Sequence, residues 1–278
     1  MIIWIASYPK SGNTWVRSLI SSYFFSDTGN FDFNLLKNIS LYPSPKYFKN
    51  KIKKPGDVSF FWESSQSSII KREKLTFLKT HNALVALNNK NFTSESTTLC
   101  AIYIIRDPRN ILSSLKNHYG FKDYYETLDF MTNKKKYIWD VRTKNDFSGF
   151  QFLGSWSDHY KSWIKNTKFK TLVIKYEELE NDCYSTSHKL IKYILLLTGQ
   201  NKQVDEKKLF KSIETTKFDI LKKKESDTGF EESIKINDIK RSFFFLGPEN
   251  NWENKLPKEI LSKVENEFKE GLNYFNYL

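Results

Sequence analysis

Four short apolar runs, separated by helical segments, constrain the fold of this chain more than any other feature. They are IIWIAS (2–7), LTFLKT (75–80), LCAIYIIR (99–106) and TLVIKY (171–176). Continuous apolar runs bounded by polar turns are typical of strands buried on both faces of a parallel sheet. Helical periodicity follows three of the runs, so the pattern predicts an α/β fold: one domain over 1–278, with a central parallel sheet flanked by helices.

Other segments refine this domain. Asp107 and Pro108 begin the helical segment after the third run as N-cap and first helical residue. The aromatic stretch 119–150 has no clear strand pattern and is predicted to be an insertion within the domain, forming a lid or one side of a binding site. The amphipathic stretch 256–275 is predicted to be a helix that closes the domain.

The net charge of +12 indicates an anionic partner, such as nucleic acid, an acidic glycan, a phosphorylated cofactor or a membrane surface. The basic clusters at 49–55, 133–137 and 221–225 are short and scattered, as on a solvated lysine-rich face, so we expect no nucleic-acid partner. No run approaches the roughly 20 apolar residues of a membrane span, and no signal peptide is recognisable. With Cys100 and Cys183 as the only cysteines, the chain is expected to be cytoplasmic, without stable membrane insertion.

The stretch SYPKSGNTWVRSL (7–19) joins the first run to the first helix. It resembles a phosphate-binding loop, but Lys10 precedes Gly12, whereas the lysine of a nucleotide P-loop follows the second glycine. Lys10 would add a positive charge and Trp15 a flat face for a base. An anion would meet backbone N–H groups at the start of the helix, from Ser11, Gly12, Asn13 and Thr14. The alternative is an ordinary strand-to-helix turn.

Two further segments end at the same edge of the predicted sheet. Lys79 and His81 end the second run two residues apart, on one face of the strand. Arg106 ends the third run, and Ser114 follows eight residues later, about two helical turns away. Arginine suits a bidentate grip on phosphate, although a structural histidine and a structural arginine remain alternatives.

In residue type and order, these segments resemble the sulfotransferases that use 3′-phosphoadenosine 5′-phosphosulfate (PAPS). SYPKSGNTW resembles their 5′-phosphosulfate loop, LKTH the segment with the catalytic histidine, and RDPRNILSS the 3′-phosphate segment. The resemblance continues through four later segments: GSWSDHYKSW, LVIKYEEL with Tyr176, TTKFDILKK with Phe218, and FLGPENNWENKL with Gly247.

The resemblance implies sulfuryl transfer from PAPS to a hydroxyl or amine of a small metabolite or glycan, without a metal. His81 would take the acceptor proton, and Lys10 and Lys79 would stabilise the developing charge. The implied PAPS-binding residues are Lys10, Ser11, Gly12, Asn13, Thr14, Trp15, Arg106, Ser114, Tyr176, Phe218 and Gly247.

The chain departs from the family pattern at several of these positions. Asn13 replaces a threonine in the opening loop. In the closing loop, Phe245 and Leu246 stand at the usual Arg-Lys, and Asn250 stands at a glycine. The missing arginine would hold the 3′-phosphate, so Arg241 or a nearby lysine is expected to replace it.

Two other classes of function fit parts of the sequence. A P-loop kinase of small molecules shares the expected architecture, but it needs a Walker-type lysine and a magnesium-binding acid. A non-catalytic binder of nucleic acid or acidic glycan would explain the net charge, but not the ordered set of Lys10, His81, Arg106 and Ser114.

Overall fold

The computed structural model describes residues 1–70, 75–140, 143, 145–199, 203–236 and 239–278. Its strands are β1 Ile2–Ser7, β2 Ile39–Leu41, β3 Thr76–Thr80, β4 Ala86–Leu87, β5 Lys90–Asn91, β6 Thr98–Ile105, β7 Tyr137–Ile138, β8 Gln151–Phe152, β9 Lys170–Lys175, β10 Ile234–Ile236 and β11 Ile239–Arg241. Its α-helices are α1 Asn13–Phe25, α2 Trp62–Ile69, α3 Pro108–Tyr119, α4 Tyr124–Thr132, α5 Trp156–Ile164, α6 Tyr176–Asn181, α7 Cys183–Leu197, α8 Glu206–Thr215, α9 Phe218–Thr228, α10 Trp252–Lys255, α11 Lys258–Glu267 and α12 Lys269–Tyr274.

A five-stranded parallel sheet in the order β2-β3-β1-β6-β9 forms the centre of the fold. All four predicted strands are present in it, and the predicted α/β class is confirmed. Ala6 of β1 pairs with Thr80 of β3, and Ser7 pairs with Ile104 of β6. The strands therefore end together, and the segments that follow them meet at one edge of the sheet.

Side chains alternate between two cores, one on each face of the sheet. In β1, Trp4 belongs to the core that includes Tyr103 and Trp163, whereas Ile3 and Ile5 belong to the core on α1 and α7. Every residue of β1 is buried, because helices cover both faces. Full burial of a large apolar side chain contributes roughly 1.5–3 kcal/mol, so these cores stabilise the sheet whose edge positions the candidate site.

The helices follow the predicted pattern, with two breaks. The Asp107 carboxylate accepts a hydrogen bond from the backbone N–H of Arg109 at 2.8 Å, and Pro108 is the first residue of α3, as predicted. The periodic segment 177–197 is divided between α6 and α7, because Asp182 ends one helix and caps the next through the N–H of Ser185. The stretch 256–275 likewise contains α11 and α12 rather than one helix.

The stretch 119–150 contains α4 and a short strand, β7, that pairs with β8. The sequence shows no clear strand pattern there, and β7 has only two residues. Residues 141, 142 and 144 lie outside the described residues. Its proposed role as a lid or acceptor-side insertion stays a prediction.

Candidate active site

The loop between β1 and α1 has a backbone that only a few residue types tolerate. Gly12 has φ 97°, in the left-handed region, and a Cβ there would lie 2.5 Å from the Tyr176 ring. Lys10 also has a positive φ, 66°. Only glycine fits both this space and this backbone angle, and it allows the loop to pass close to the Tyr176 ring. Helix α1 begins at the next residue.

The side chain of Asn13 ties this loop to the end of β1. Its Nδ2 donates to the carbonyl of Ile5 and to Ser7 Oγ, both at 3.1 Å. Within the described part of the chain, the buried hydroxyl of Ser11 has no hydrogen-bond partner. Buried polar groups are nearly always paired. The Ser11 hydroxyl, next to a helix N-terminus, could donate a hydrogen bond to a bound anion.

Arg106 lies beside the loop, held by stacking rather than by a carboxylate. Its guanidinium lies 3.8 Å from the centre of the Tyr176 ring, and Nη1 donates to the Lys10 carbonyl at 3.4 Å. Among the described residues its buried Nε has no partner. A guanidinium carries five N–H donors, so Arg106 keeps donors available for an anionic ligand.

Two lysines concentrate positive charge at the same edge. Lys79 is only 7% exposed, and burial lowers its pKa. The Lys10 ammonium lies 3.8 Å from the centre of the Phe243 ring. Burial lowers the pKa of Lys10 to about 7, and the charges of Lys79 and Arg106 act in the same direction. The site therefore favours an anion that would stabilise these charges.

One ring nitrogen of His81 is hydrogen-bonded, and the other has no hydrogen-bond partner among the described residues. Its Nδ1 lies 2.8 Å from the Ser7 carbonyl, which can only accept, so Nδ1 carries the proton and Nε2 a lone pair. The backbone N–H of His81 donates to Gln151 Oε1 at 2.7 Å. Burial lowers the pKa of His81 to about 3, with the charge of Lys79 adding to the effect. The imidazole is therefore neutral at pH 7 and able to accept a proton.

The two neighbouring histidines differ from His81. In His159, Nε2 donates to the His81 carbonyl at 3.0 Å and Nδ1 accepts from the Tyr103 hydroxyl at 2.8 Å. Both of its ring nitrogens are thus engaged, and it supports the backbone of His81. His118, near the end of α3, lies against Phe243, and burial together with the charge of Lys10 lowers its pKa. His118 therefore lies near the same cations.

The aromatic residues expected to hold a base lie beside one small apolar cluster. The Trp15 ring packs against Tyr176 with centroids 5.5 Å apart. A Cβ at Gly247, which has φ 56°, would lie 2.4 Å from the Phe218 ring. Trp15 and Phe218 pack against the same buried residues, which are Phe31, Leu36, Leu221 and Phe244.

The region predicted to bind the 3′-phosphate contains one contact that the sequence did not predict. Asn250, at the position of a glycine, donates through Nδ2 to Ser114 Oγ at 3.2 Å and to the Asn110 carbonyl at 2.7 Å. Phe245 is 42% exposed, and the Lys222 ammonium donates to its carbonyl at 3.2 Å. Lys222 is therefore another cation beside the closing loop, with Arg241 at the end of β11.

Sequence reasoning missed two charged residues of the site. Arg17 is 3% exposed, and its Nη1 lies 2.6 Å from Glu232 Oε1. The other oxygen of Glu232 lies 2.8 Å from Lys79 Nζ and 3.3 Å from Thr14 Oγ1. Arg17 follows Thr14 by about one helical turn, so its place on the same face of α1 could have been predicted from the sequence. Glu232 lies in a polar segment remote from every motif and gave no signal.

The sequence matches one family model along nearly its whole length. The model described as "Sulfotransferase domain" matches residues 2–276. Sulfotransferase 1 family member D1 of Mus musculus is 21% identical over 269 residues, covering 96% of this chain and 81% of the relative. Sulfotransferase 1B1 of Canis lupus familiaris is 24% identical over 255 residues, covering 90% and 76%.

Solved structures with the same fold include two complexes. Mouse sulfotransferase SULT7A1 complexed with PAP has a TM-score of 0.59 and 22% identity, covering 97% of this chain and 83% of the other. Retinol dehydratase in complex with androsterone and inactive cofactor PAP has a TM-score of 0.64 and 17% identity, covering 98% and 80%. These likenesses confirm the predicted fold. Across the described ranges, no helix is long and apolar enough to cross a bilayer, and no His, Cys, Asp and Glu cluster is arranged to hold a metal ion.

Proposed function

This chain belongs to the sulfotransferase family and uses PAPS as its sulfuryl donor. We propose that it transfers the sulfuryl group to a hydroxyl or amine of a small-molecule or glycan acceptor. We further propose that His81 is the base of this reaction. The observation that carries the proposal is the neutral imidazole of His81, whose Nδ1–H is held by the Ser7 carbonyl and whose Nε2 has no hydrogen-bond partner among the described residues. Lys79 precedes it by two residues at the end of the same strand.

The residues at the sheet edge suit the donor. The start of α1, Ser11 and the guanidinium of Arg106 offer hydrogen-bond donors without protein partners in the described part of the chain. When bound, PAPS supplies an activated sulfuryl group and leaves as 3′-phosphoadenosine 5′-phosphate (PAP). Lys10 and Lys79 would stabilise charge on the leaving oxygen and on the sulfuryl oxygens, since fixed charges act strongly in a buried site.

His81 would bind the acceptor and remove its proton. With Nδ1–H fixed on the Ser7 carbonyl, the lone pair of Nε2 takes the proton as the acceptor oxygen attacks. The imidazolium formed would keep its hydrogen bond to Ser7. The Gln151 and His159 contacts to the His81 backbone would hold the ring in position.

The stretch 119–150 is the proposed acceptor side, because both of its ends lie beside this base. It follows His118, which interacts electrostatically with His81, and it ends one residue before Gln151, whose Oε1 accepts a hydrogen bond from the His81 N–H. Tyr137 and Trp139 are 39% and 36% exposed, and their ring centroids lie 5.7 Å apart. Exposed aromatic faces suit stacking on a sugar ring, which favours a glycan acceptor. A screen of hydroxylated metabolites and oligosaccharides with radiolabelled PAPS tests this directly. The cytoplasmic location remains a prediction.

Arg106→Ala should remove most of the preference for PAP over 5′-AMP. The proposed bond between Arg106 and the 3′-phosphate is charge-assisted, and such bonds contribute roughly 1.5–3 kcal/mol. Isothermal titration calorimetry with both nucleotides measures the preference. Arg106→Lys is the matched variant: it keeps the charge but loses the planar fork, and an intermediate preference is expected. Equal binding of PAP and 5′-AMP by the wild-type protein would refute the 3′-phosphate assignment.

Phe245→Arg should strengthen PAP binding, because it restores a cation where the family pattern has one. Phe245 is 42% exposed, so a long side chain has room there. The gain should shrink as salt rises, since exposed charges are screened over about 10 Å at 0.1 M ionic strength. Phe245→Gln, of similar length without the charge, serves as control. An unchanged affinity for Phe245→Arg would mean that another residue already fills this role, with Arg241 the first to test.

A further inference from the structure

We propose that Arg17 is a further cofactor-binding residue and that Glu232 occupies its anion site until the cofactor displaces it. The inference rests on the proposed location of the PAPS site. It concerns two residues, Arg17 and Glu232, to which the resemblance assigns no role.

Glu232 is bound in the way that an anionic ligand would be. One carboxylate oxygen contacts Arg17 Nη1 at 2.6 Å, and the other contacts Lys79 Nζ at 2.8 Å. The second oxygen also accepts from Thr14 Oγ1 at 3.3 Å, in the first turn of α1. Two cations and a helix N-terminus around one carboxylate form an anion site. The carboxylate marks where the 5′ phosphate or sulfonate would bind.

The charges require Glu232 to leave when that ligand arrives. Burial opposes ionisation of Glu232, but the charges of Arg17 and Lys79 outweigh it and lower its pKa, so the carboxylate stays charged. Two anions cannot share this position without strong repulsion. While Glu232 remains, it also neutralises Lys79, which the proposed mechanism needs as a cation.

The guanidinium of Arg17 is held in an orientation that suits anion binding. Its Nη2 donates to the Ile39 carbonyl at 3.0 Å, which fixes the guanidinium plane, and Nη1 points to the carboxylate. Its buried Nε has no partner among the described residues. An unpaired buried guanidinium is costly, so Glu232 stabilises the site when no ligand is present.

Displacement requires only a rotation of the Glu232 side chain. The neighbouring Ser233 is held by its own contact, in which its hydroxyl donates to Glu225 at 2.5 Å. Glu225 also accepts from the N–H groups of Phe243 and Phe244 at 2.7 and 2.9 Å. The backbone beside Glu232 is thus attached to α9 independently of the anion site. Since the Glu232 side chain is 28% exposed, it has a path to solvent.

The test is calorimetric binding of PAP, 5′-AMP and 3′-AMP to the full chain. Glu232→Gln removes the competing charge, and we expect PAP and 5′-AMP to bind about tenfold more tightly. The affinity for 3′-AMP should not change, because that nucleotide has no 5′ anion. Glu231→Gln is the matched control, since it removes the same charge from the adjacent, exposed position. Without ligand, Glu232→Gln should also lower the melting temperature, so stability and affinity change in opposite directions.

Arg17→Gln completes a double-mutant cycle. Alone it should change PAP affinity little, because the cofactor loses one contact but no longer has to break the Arg17–Glu232 pair. In the Glu232→Gln background it should weaken PAP binding about tenfold. If Arg17→Gln does not fold, Arg17→Lys replaces it, and the contrast between PAP and 3′-AMP in Glu232→Gln decides alone.

Three results would overturn the inference. They are an unchanged PAP affinity in Glu232→Gln, an equal gain for 3′-AMP, and an equal gain in Glu231→Gln. An unchanged affinity together with a loss of kcat in Glu232→Gln would instead place Glu232 in the chemistry. Failure of the underlying site assignment looks different: the wild-type protein would then not prefer PAP over 5′-AMP, and Arg106→Ala would have no effect.

Discussion

Replacing His81 by alanine should lower kcat by roughly 10²–10⁴-fold, the range for a positioned acid–base group. PAP affinity should remain nearly unchanged, because the proposed contact of Nε2 is with the acceptor. The two quantities should separate because the proposed anion-binding groups are others: they lie in the loop before α1, in β3 and directly after β6, whereas His81 is proposed to contact the acceptor. Steady-state kinetics with saturating PAPS and calorimetric titration with PAP measure them independently.

The pH profile gives this prediction a second readout. The neutral imidazole is the active form, and burial and Lys79 lower the pKa of His81 to about 3. The wild-type kcat/KM for the acceptor should therefore hold well below the ordinary histidine midpoint of about 6.5 and fall only under more acidic conditions. In His81→Ala that acidic fall should disappear. His118→Ala removes another imidazole near the same cations and serves as control.

A near-normal kcat in His81→Ala, with the same acidic fall, would show that His81 is structural. His118 would then be the first candidate base. His159 is the weaker alternative, because the His81 carbonyl and the Tyr103 hydroxyl already engage its two ring nitrogens.

The fold was predictable because the strands of its central sheet correspond to short apolar runs in the sequence. A strand buried on both faces needs apolar residues at nearly every position, and β1 and β6 satisfy this in unbroken segments. β3 and the edge strand β9 have shorter apolar stretches, Phe77–Leu78 and Leu172–Ile174. The edge strand β2 has only three residues, Ile39–Leu41, too few to produce a pattern. The division between α6 and α7 depends on one cap, Asp182, inside a segment with uniform helical periodicity. The Asp182 cap divides the segment there, although the helical periodicity continues across it.

The charged part of the candidate site was predictable from the strand pattern where its residues lie beside a strand end. Lys10, Lys79, His81 and Arg106 each follow or end a central strand, and the structure brings them to one edge of the sheet. Glu232 reaches the same edge from a segment after α9, through a contact that no local pattern encodes. The tautomer of His81 was likewise outside sequence reasoning, because it depends on the position of the Ser7 carbonyl.

Lys10→Ala should lower both kcat and PAP affinity, in contrast to His81→Ala. Loss of one group that stabilises transition-state charge costs about 10²–10³-fold in kcat. The affinity loss should be roughly tenfold, because Lys10 extends from the loop that is proposed to bind the 5′ anion. Lys46→Ala is a matched control away from these contacts: that lysine lies 5.0 Å from the centre of the Tyr47 ring, and burial also lowers its pKa.

Proton uptake distinguishes a binding role for Lys10 from a structural one. Burial lowers the pKa of Lys10 to about 7, so Lys10 of the free enzyme titrates near neutral pH. A bound anion favours the charged form and raises this pKa, so PAP binding should take up protons at neutral pH. PAP affinity should then fall as pH rises above 7, by up to about tenfold per pH unit, until the pKa of the bound state is reached. Calorimetry in buffers of different ionisation enthalpy measures the uptake. Lys46→Ala should retain it and Lys10→Ala should lose it, whereas undiminished uptake in Lys10→Ala would assign the proton to another group.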